Sequence, residues 1–316
     1  MRDRPVLLID GYNVFIRHFV VNPTMNKNGQ HVGGAIGFLK GLTKIIDSIY
    51  PSEIVVVWEG GGSIRKRAMF SGYKNGRRPQ KLNRFYEEIP DTIGNRNHQI
   101  SLLISMLRTT PVNQIYVSDC EADDIIGYIA NNKREGKKIV VYSSDKDYYQ
   151  LMSEDVSIFT PTKKSFVSEE DVIKKFKIHP VNFCTARSFC GDVSDGIPGI
   201  KGVGYKTLAR RFPELSCDSF VSVDEIINKA KSLIKTSKVK AVHNIVNNQD
   251  TAKKNWKLMY MDIRNLSAKH IDKINYSIDT FNPRSNKIEL MRILSSEGIM
   301  FFDVDNLFFS LGFILK

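Results

Sequence analysis

Cysteine and histidine are scarce, and neither follows a metal-binding pattern. The 316 residues include four cysteines and six histidines. The cysteines are Cys120, Cys184, Cys190 and Cys217. They form no Cys-x-x-Cys pair, and no histidine stands at the spacing of a zinc motif. We therefore expect reduced, mostly buried thiols in a cytosolic protein and no zinc site.

Long apolar runs are also missing. The N-terminal segment MRDRPVLLIDG leads directly into a predicted strand, without the charged start and long apolar stretch of a secretion signal. The most apolar late stretch, residues 299–315, is interrupted by Asp303, Asp305 and Asn306, which a membrane span would not tolerate. The sequence predicts a cytoplasmic protein with no membrane partner.

Acid is the minority charge. The chain has 34 Asp+Glu against 46 Lys+Arg, which gives a formal net charge of +12. This balance favours a polyanionic partner, because lysines and arginines that neutralise phosphates release counterions. The length allows one large or two ordinary domains, and 42% hydrophobic composition is that of a globular protein.

Short β-branched runs alternate with helical patterns over the first half of the chain. Strands are predicted at residues 6–10, 54–59, 115–117, 139–143 and 156–159. This order predicts an α/β fold, in which helices flank a mostly parallel sheet. We divide the chain into residues 1–167 (sheet domain), 168–255 (helical region) and 256–316 (C-terminal region). A Gly-, Arg- and Lys-rich insertion at about 60–97 is long for a connection inside a compact domain.

Acids follow the predicted strands. Asp10, Glu59 and Asp145 stand at strand ends, where parallel sheets collect functional side chains. A helix N-cap is the simpler role for any one of them. Asp147 would face the same side as Asp145 in an extended chain, or form a local Asx-turn.

A helix is predicted to begin with Ser118 or Asp119 as its N-cap and to end at Gly136. Its first turn holds three acids: Glu121, Asp123 and Asp124. Acids are also common at helix starts for electrostatic reasons alone. If the strand-end acids and these three lie close together, most would be driven toward protonation unless a cation compensated them. A hard divalent ion with oxygen ligands, as used in phosphate chemistry, is the favoured answer.

The most specific stretch is GDVSDGIPGIKGVGYKT, which contains Asp192 and Asp195 and continues into a helix predicted from Tyr205. A Gly-x-x-Gly-x-Gly turn lets backbone N–H groups approach a phosphate closely. The stretch resembles the helix-hairpin-helix element with which DNA enzymes hold a strand without reading its bases.

Five motifs in this order resemble the 5′-nuclease family of flap endonucleases and 5′→3′ exonucleases, which includes the N-terminal domain of bacterial DNA polymerase I and standalone phage enzymes. The motifs are LLIDG around Asp10, YK-x-x-R from Tyr73 to Arg77, EADD from Glu121 to Asp124, SSDKDYYQL around Asp145, and the glycine-rich stretch from Gly191 to Thr207. The later segment KNWKLMYMDIRNLSAKHIDKINYSI is similar to phage-type ribonuclease H, which indicates a bacteriophage origin.

The resemblance implies a PIN-like core, a helical arch and a helix-three-turn-helix region. It implies two Mg²⁺ ions, with Mn²⁺ as a substitute, and a K⁺ ion at the hairpin. The first metal site would use Asp10, Glu59, Glu121 and Asp123. The second would use Asp145, Asp147, Asp192 and Asp195, with Asp124 acting through water. Glu59 departs from the family pattern, which has aspartate there.

The resemblance also assigns substrate contacts. Lys74 and Arg77 would be catalytic residues that contact phosphates, together with the metal-binding residues Asp10 and Asp123. Tyr73 would stack on a base. Further DNA-binding positions are Arg65, Arg67, Gly199, Gly202, Gly204, Lys206 and Thr207. The distance from Arg65 to Tyr73 is one residue longer than the family pattern. A solvated surface loop is the alternative for the basic insertion.

The implied activity is hydrolysis of DNA flaps, nicked or 5′-ended duplexes and RNA primers in RNA·DNA hybrids, with ribonuclease H action, during replication and repair. The protein would be a monomer in the host cell cytoplasm, with polymerase and single-strand-binding protein supplied in trans. Alternatives are a PIN-type ribonuclease and a non-catalytic structure-specific DNA-binding protein. A haloacid-dehalogenase-like phosphatase needs Asp-x-Asp, but Tyr12 stands where the second aspartate would be.

Overall fold

A six-stranded sheet forms the centre of the protein. The computed structural model describes residues 4–75, 93–236 and 238–314. The strands are Val6–Asp10 (β1), Glu53–Trp58 (β2), Asn113–Tyr116 (β3), Ile139–Tyr142 (β4), Val156–Thr160 (β5) and Ser165–Val167 (β6). Their order is β3-β2-β1-β4-β5-β6, and every pair is parallel except β5 with β6. The predicted α/β fold is confirmed, although the short antiparallel β6 was not predicted.

Fourteen α-helices are present in the described ranges. They are Gly11–Val21 (α1), Gly33–Ile49 (α2), Ile64–Met69 (α3), Ile93–Leu107 (α4), Ala122–Tyr128 (α5), Glu169–Phe176 (α6), Phe183–Cys190 (α7), Tyr205–Arg211 (α8), Val223–Leu233 (α9), Lys240–Asn247 (α10), Gln249–Met259 (α11), Ala268–Asp279 (α12), Lys287–Ser296 (α13) and Val304–Leu311 (α14). Each of them is too short or too polar to span a bilayer.

Each face of the sheet is covered by its own apolar layer. Leu7 and Ile9 of β1 point into a cluster with α1, α2, α4, α13 and α14. Val6 and Leu8 point into the opposite cluster with α5 and α12. Burial on both faces explains why β1 reads as a continuous apolar run rather than an alternating one. A third cluster joins α7 to α11, beyond the sheet.

The helix after β3 begins later than the sequence predicted. Glu121, not Ser118 or Asp119, is the N-cap of α5. The cause is a pair of backbone hydrogen bonds. Asp119 N donates to Gly60 O at 2.8 Å, and Gly60 N donates to Cys120 O at 3.1 Å. Asp119 also has a φ of 62°, outside the helical range. Because these hydrogen bonds hold Asp119 and Cys120 outside the helix, Glu121 is the first residue that can cap it.

His18 packs between α1 and α2. A Cβ atom added to Gly37 would lie 2.7 Å from His18 Cβ, so the two helices approach closely only because this residue is glycine. The imidazole Nε2 is buried and has no hydrogen-bond partner in the described ranges. Burial lowers the pKa of His18 to about 4, and the positive charge of Arg17 adds to the effect.

This burial predicts acid sensitivity. The unfolded state binds a proton on His18 near its ordinary pKa of about 6.5, whereas the folded state resists protonation. Stability that is complete above about pH 6.5 should therefore decrease as the pH falls toward about 4. A His18→Phe variant, measured by urea unfolding at several pH values, should show a shallower decrease than the wild type. An unchanged slope would contradict this account, and His98→Phe, at a half-exposed imidazole, is the control.

Candidate metal and phosphate site

The strands deliver acids to one edge of the sheet. Asp10 ends β1, and the next strand in the sheet, β2, is followed directly by Glu59. On the other side of β1, β4 is followed by Ser143 and Asp145. Because parallel strands in register end at the same edge, these side chains converge from separate parts of the sequence.

Three carboxylates at the start of α5 lie closest together. One oxygen from each of Glu121, Asp123 and Asp124 lies within 4.8 Å of the others. In the described ranges no other group of three His, Cys, Asp or Glu side chains reaches this spacing. The ligand set consists only of carboxylate oxygens, which fits a hard divalent cation such as Mg²⁺ or Mn²⁺.

A buried lysine lies inside this acidic group. Lys66 of α3 is 2% exposed. Its Nζ is 2.7 Å from Glu121 Oε2, 2.8 Å from Asp124 Oδ2 and 3.8 Å from Asp123 Oδ1. An ammonium group buried so completely is tolerated because three negative charges surround it. Lys66 therefore supplies internal charge compensation to the group.

Two residues of the predicted arch also contact Glu121. Lys74 Nζ pairs with Glu121 Oε1, and Tyr73 OH donates to Oε2 at 2.8 Å. Burial alone would raise the pKa of Glu121, but the charges of Lys66 and Lys74 outweigh it and lower the pKa to about 2. Tyr73, to which the resemblance assigns base stacking, is 4% exposed. Arg77 lies outside the described residues.

Glu59 reaches the same helix from the sheet. Its Oε2 accepts a hydrogen bond from Ala122 N, the first residue of α5, at 3.3 Å. The side chain thus occupies one free N–H group of the helix start and remains exposed. This contact lets Glu59 fix the start of α5.

Asp10 is held deeper in the sheet edge. Its Oδ2 accepts from Tyr148 OH at 3.0 Å, and its Oδ1 accepts from Asn13 N at 3.1 Å. Burial, together with the charges of Asp145 and Glu59, raises the pKa of Asp10 to about 7 against the opposing effect of these hydrogen bonds. The predicted first site thus combines Glu121, whose pKa is lowered, with three acids whose pKa values are raised, mainly by burial: Asp10, Glu59 and Asp123.

The second predicted site is bridged by an arginine. Arg187 of α7 is 2% exposed and pairs with Asp192, and its Nη1 is 2.5 Å from Asp147 Oδ1. Asp145 caps the 3₁₀ turn Lys146–Leu151 by accepting from Asp147 N at 3.0 Å, so the chain is not extended there. Burial and the charge of Asp145 raise the pKa of Asp147 to about 7 against the effect of Arg187.

The loop that contains Asp195 connects Lys74, in the predicted arch, with the glycine-rich hairpin. Asp195 is 7% exposed, and its backbone oxygen accepts from Lys74 N at 2.8 Å. The chain then passes Gly199, where an added Cβ would lie 2.0 Å from Cys190 O. Only glycine fits this close approach to the end of α7. One short segment therefore connects the acidic edge with the predicted DNA-holding element.

The remaining predicted DNA contacts lie at the surface. Gly202 has a φ of 76°, and Gly204 precedes α8 as its N-cap. Lys206 is exposed and Thr207 is partly exposed on that helix. Arg67 is also exposed and donates to Gly61 O at 3.0 Å.

Sequence reasoning missed three side chains that hold the acids. Lys66 and Arg187 lie between carboxylates, and Asn265 Nδ2 donates to Asp124 Oδ1 at 2.8 Å. Lys66 stood in a run of basic residues that reads as solvated, and Asn265 is 141 residues from Asp124. The only available signal was the excess of acid, which requires buried cations near it.

The fold and this site define an α/β protein with an acidic functional edge, and comparison with known proteins identifies its family. The model of the "5′-3′ exonuclease, N-terminal resolvase-like domain" matches residues 5–177, more than half of the chain. The chain belongs to the 5′-3′ exonuclease family.

Curated relatives agree with this assignment. A 5′-3′ exonuclease of Aquifex aeolicus (strain VF5) is 31% identical over 206 residues, which are 65% of this chain and 67% of that protein. DNA polymerase I of Bacillus caldotenax is 31% identical over 233 residues, which are 71% of this chain but 25% of the polymerase.

Solved structures share the fold. A bacteriophage T5 flap endonuclease in a pseudo-enzyme-product complex with DNA and metal ions has a TM-score of 0.64 at 18% identity, covering 98% of this chain and 100% of that chain. The catalytic core of Rad2 with a DNA substrate has a TM-score of 0.51 at 14% identity, covering 99% and 93%.

The charge balance around Lys66 gives a direct test. Lys66→Met leaves three close carboxylates without their most buried counter-ion, so we expect the free energy of unfolding in EDTA to fall by about 3–5 kcal/mol. Added Mg²⁺ should stabilise this variant more than the wild type. Lys257→Met, at an exposed lysine of α11, is the control for loss of one positive charge. A loss in Lys66→Met no larger than in the control would show that the ammonium does not compensate the acids.

Proposed function

We propose that this protein is a metal-dependent, structure-specific 5′ nuclease that cuts phosphodiester bonds of DNA at flaps, nicks and 5′ ends, and removes RNA primers from RNA·DNA hybrids. The observation that carries the proposal is the close group of three carboxylates formed by Glu121, Asp123 and Asp124. Membership of the 5′-3′ exonuclease family supports the reaction class. The likeness to nucleases solved with DNA supports the substrate class.

The cofactors would be two Mg²⁺ ions, for which Mn²⁺ substitutes. Asp10, Glu59, Glu121 and Asp123 would hold the first. Asp145, Asp147, Asp192 and Asp195 would hold the second, in which Asp147 and Asp192 pair with Arg187. Asp124 would act through water. When bound, divalent ions at such a site polarise the phosphate, activate water and neutralise the departing oxygen.

The protein side chains orient the substrate for hydrolysis. An oxygen from water joins the phosphorus, the bond to the 3′-oxygen of the preceding nucleotide breaks, and that oxygen takes up a proton. The products are a 5′-phosphate and a 3′-hydroxyl. Lys74, whose side chain is 22% exposed, lies at the mouth of the acidic group and would pair with the phosphate. Arg77 would assist from the neighbouring segment.

The glycine-rich hairpin would hold the duplex next to the cut. Gly199, Gly202, Gly204, Lys206 and Thr207 would contact the backbone, with a K⁺ ion bound by hairpin carbonyls. Backbone contacts position the substrate but carry no sequence information. The protein would act as a monomer during replication and repair, with a polymerase and a single-strand-binding protein in trans.

Removing one carboxylate should separate binding from cleavage. We expect Asp123→Asn to lower the cleavage rate of an end-labelled 5′ flap in Mg²⁺ by at least about 100-fold, because the amide is a poor ligand for a hard cation. Binding of the same flap in Ca²⁺ should stay within about threefold. Asp155→Asn, which alters a surface ion pair with Lys138, is the matched control. Undiminished Mg²⁺-dependent cleavage by Asp123→Asn would overturn the metal assignment.

The hairpin assignment is tested by salt dependence. Lys206→Ala should weaken duplex binding equally across sequences and reduce the slope of log K against log salt by about 1. Lys269→Ala, an exposed lysine on α12, should leave both unchanged. A loss confined to particular sequences would contradict backbone recognition, and equal binding by Lys206→Ala would remove the residue from the interface.

A further inference from the structure

The segment between α11 and α12, residues 259–266, contacts both halves of the acidic edge. We call it the connector. It lies more than 100 positions after most of the acids and beyond residue 177, where the matched family model ends. The segment that resembles phage-type ribonuclease H contains it, but that resemblance assigns no role to its residues. Its contacts come from Asn265 at one end and from backbone groups of Met259 and Met261 at the other.

Asn265 is 8% exposed and uses its whole amide group. Its Nδ2 donates to Asp124 Oδ1 at 2.8 Å and to Tyr260 O at 2.7 Å. Its Oδ1 accepts from Arg65 Nη1 at 2.6 Å. Since Asp124 Oδ2 lies 2.8 Å from Lys66 Nζ, both oxygens of this carboxylate are fixed by side chains from outside its own helix.

Gln150 holds the other end of the connector. Its Nε2 donates to Met259 O at 3.0 Å and its Oε1 accepts from Met261 N at 3.0 Å. The same Nε2 donates to Asp147 O at 3.0 Å, within the 3₁₀ turn that Asp145 caps. The connector backbone is thereby bound to the element that carries two acids of the second predicted site.

Packing also holds the connector against α5. A Cβ atom added to Gly127 of α5 would lie 2.8 Å from Met261 Cβ, so the helix approaches the connector as closely as glycine permits. Met261 and Leu266 are buried in the same apolar layer as Ile125 and Ile126. A rigid support of this kind fixes the separation of the groups attached to it.

We propose that Asn265 is a positioning residue for the metal centre, and that through it the connector sets the geometry of the Glu121, Asp123 and Asp124 group relative to Asp145 and Asp147. Asn265 orients Asp124, which in turn shares Lys66 with Glu121. Hydrogen-bond partners that orient a ligand group typically contribute 10–100-fold to metal affinity. The inference rests on the proposed function only in that the acidic group binds a divalent ion.

The test uses Mn²⁺ as a probe of the metal centre without DNA. Asn265→Leu keeps the branched shape of the side chain but cannot donate to Asp124, so we expect the Mn²⁺ concentration for half-maximal thermal stabilisation to rise about 10–100-fold. In EDTA the variant should still melt cooperatively. Asn265→Ala is a second variant in case leucine does not pack. Arg264→Ala, at an exposed connector residue that forms an ion pair with Asp262, should bind Mn²⁺ as the wild type does.

A flap-cleavage assay adds a second readout. If Asn265 positions a ligand, raising the Mg²⁺ concentration should restore much of the lost rate in Asn265→Leu, whereas a general folding defect would not respond to metal. A wild-type Mn²⁺ midpoint in both Asn265 variants would overturn the inference while leaving the proposed function intact. A wild-type protein that Mn²⁺ does not stabilise would overturn both.

Discussion

The structure depends on placing several carboxylates close together in a protein whose net charge is positive. Glu121, Asp123 and Asp124 lie within 4.8 Å of one another. Like charges at that distance in a partly dry environment repel strongly, and folding can tolerate them only with cations beside them or with some acids protonated. The protein uses both solutions, because Lys66 and Lys74 lower the pKa of Glu121 to about 2, whereas burial raises that of Asp10 to about 7.

The same compensation links the site to its surroundings. Lys66 belongs to α3, Arg187 to α7 and Asn265 to the connector. Side chains from outside the sheet therefore hold Glu121, Asp124, Asp147 and Asp192. A divalent ion or a phosphate bound as proposed would meet groups whose partners lie in α3, α7 and the connector. This arrangement would link the proposed substrate contacts to the acidic group.

The sheet and the identity of most acids were predictable from the sequence. The apolar run that ends in Asp10 and the one followed by Glu59 each predict a strand and an acid at its end, and both predictions depend only on neighbouring residues. The predicted start of α5 was wrong because the backbone of Gly60, far away in sequence, forms hydrogen bonds with Asp119 and Cys120. The contact of the Tyr73 hydroxyl with Glu121 was not predictable for a related reason, since the two residues are 48 positions apart. Lys66 and Asn265 have no local pattern, and only tertiary contacts reveal them.

The most direct test of the central claim is anomalous diffraction from crystals of this protein soaked in Mn²⁺. The account predicts an anomalous peak at coordination distance from Glu121 and Asp123, with the Lys66 ammonium moved away from the ion and Asn265 still bonded to Asp124. A second peak is expected next to Asp145. Absence of any peak at this edge, with Lys66 still paired to Glu121 at saturating Mn²⁺, would contradict the claim that the acidic group is a metal centre.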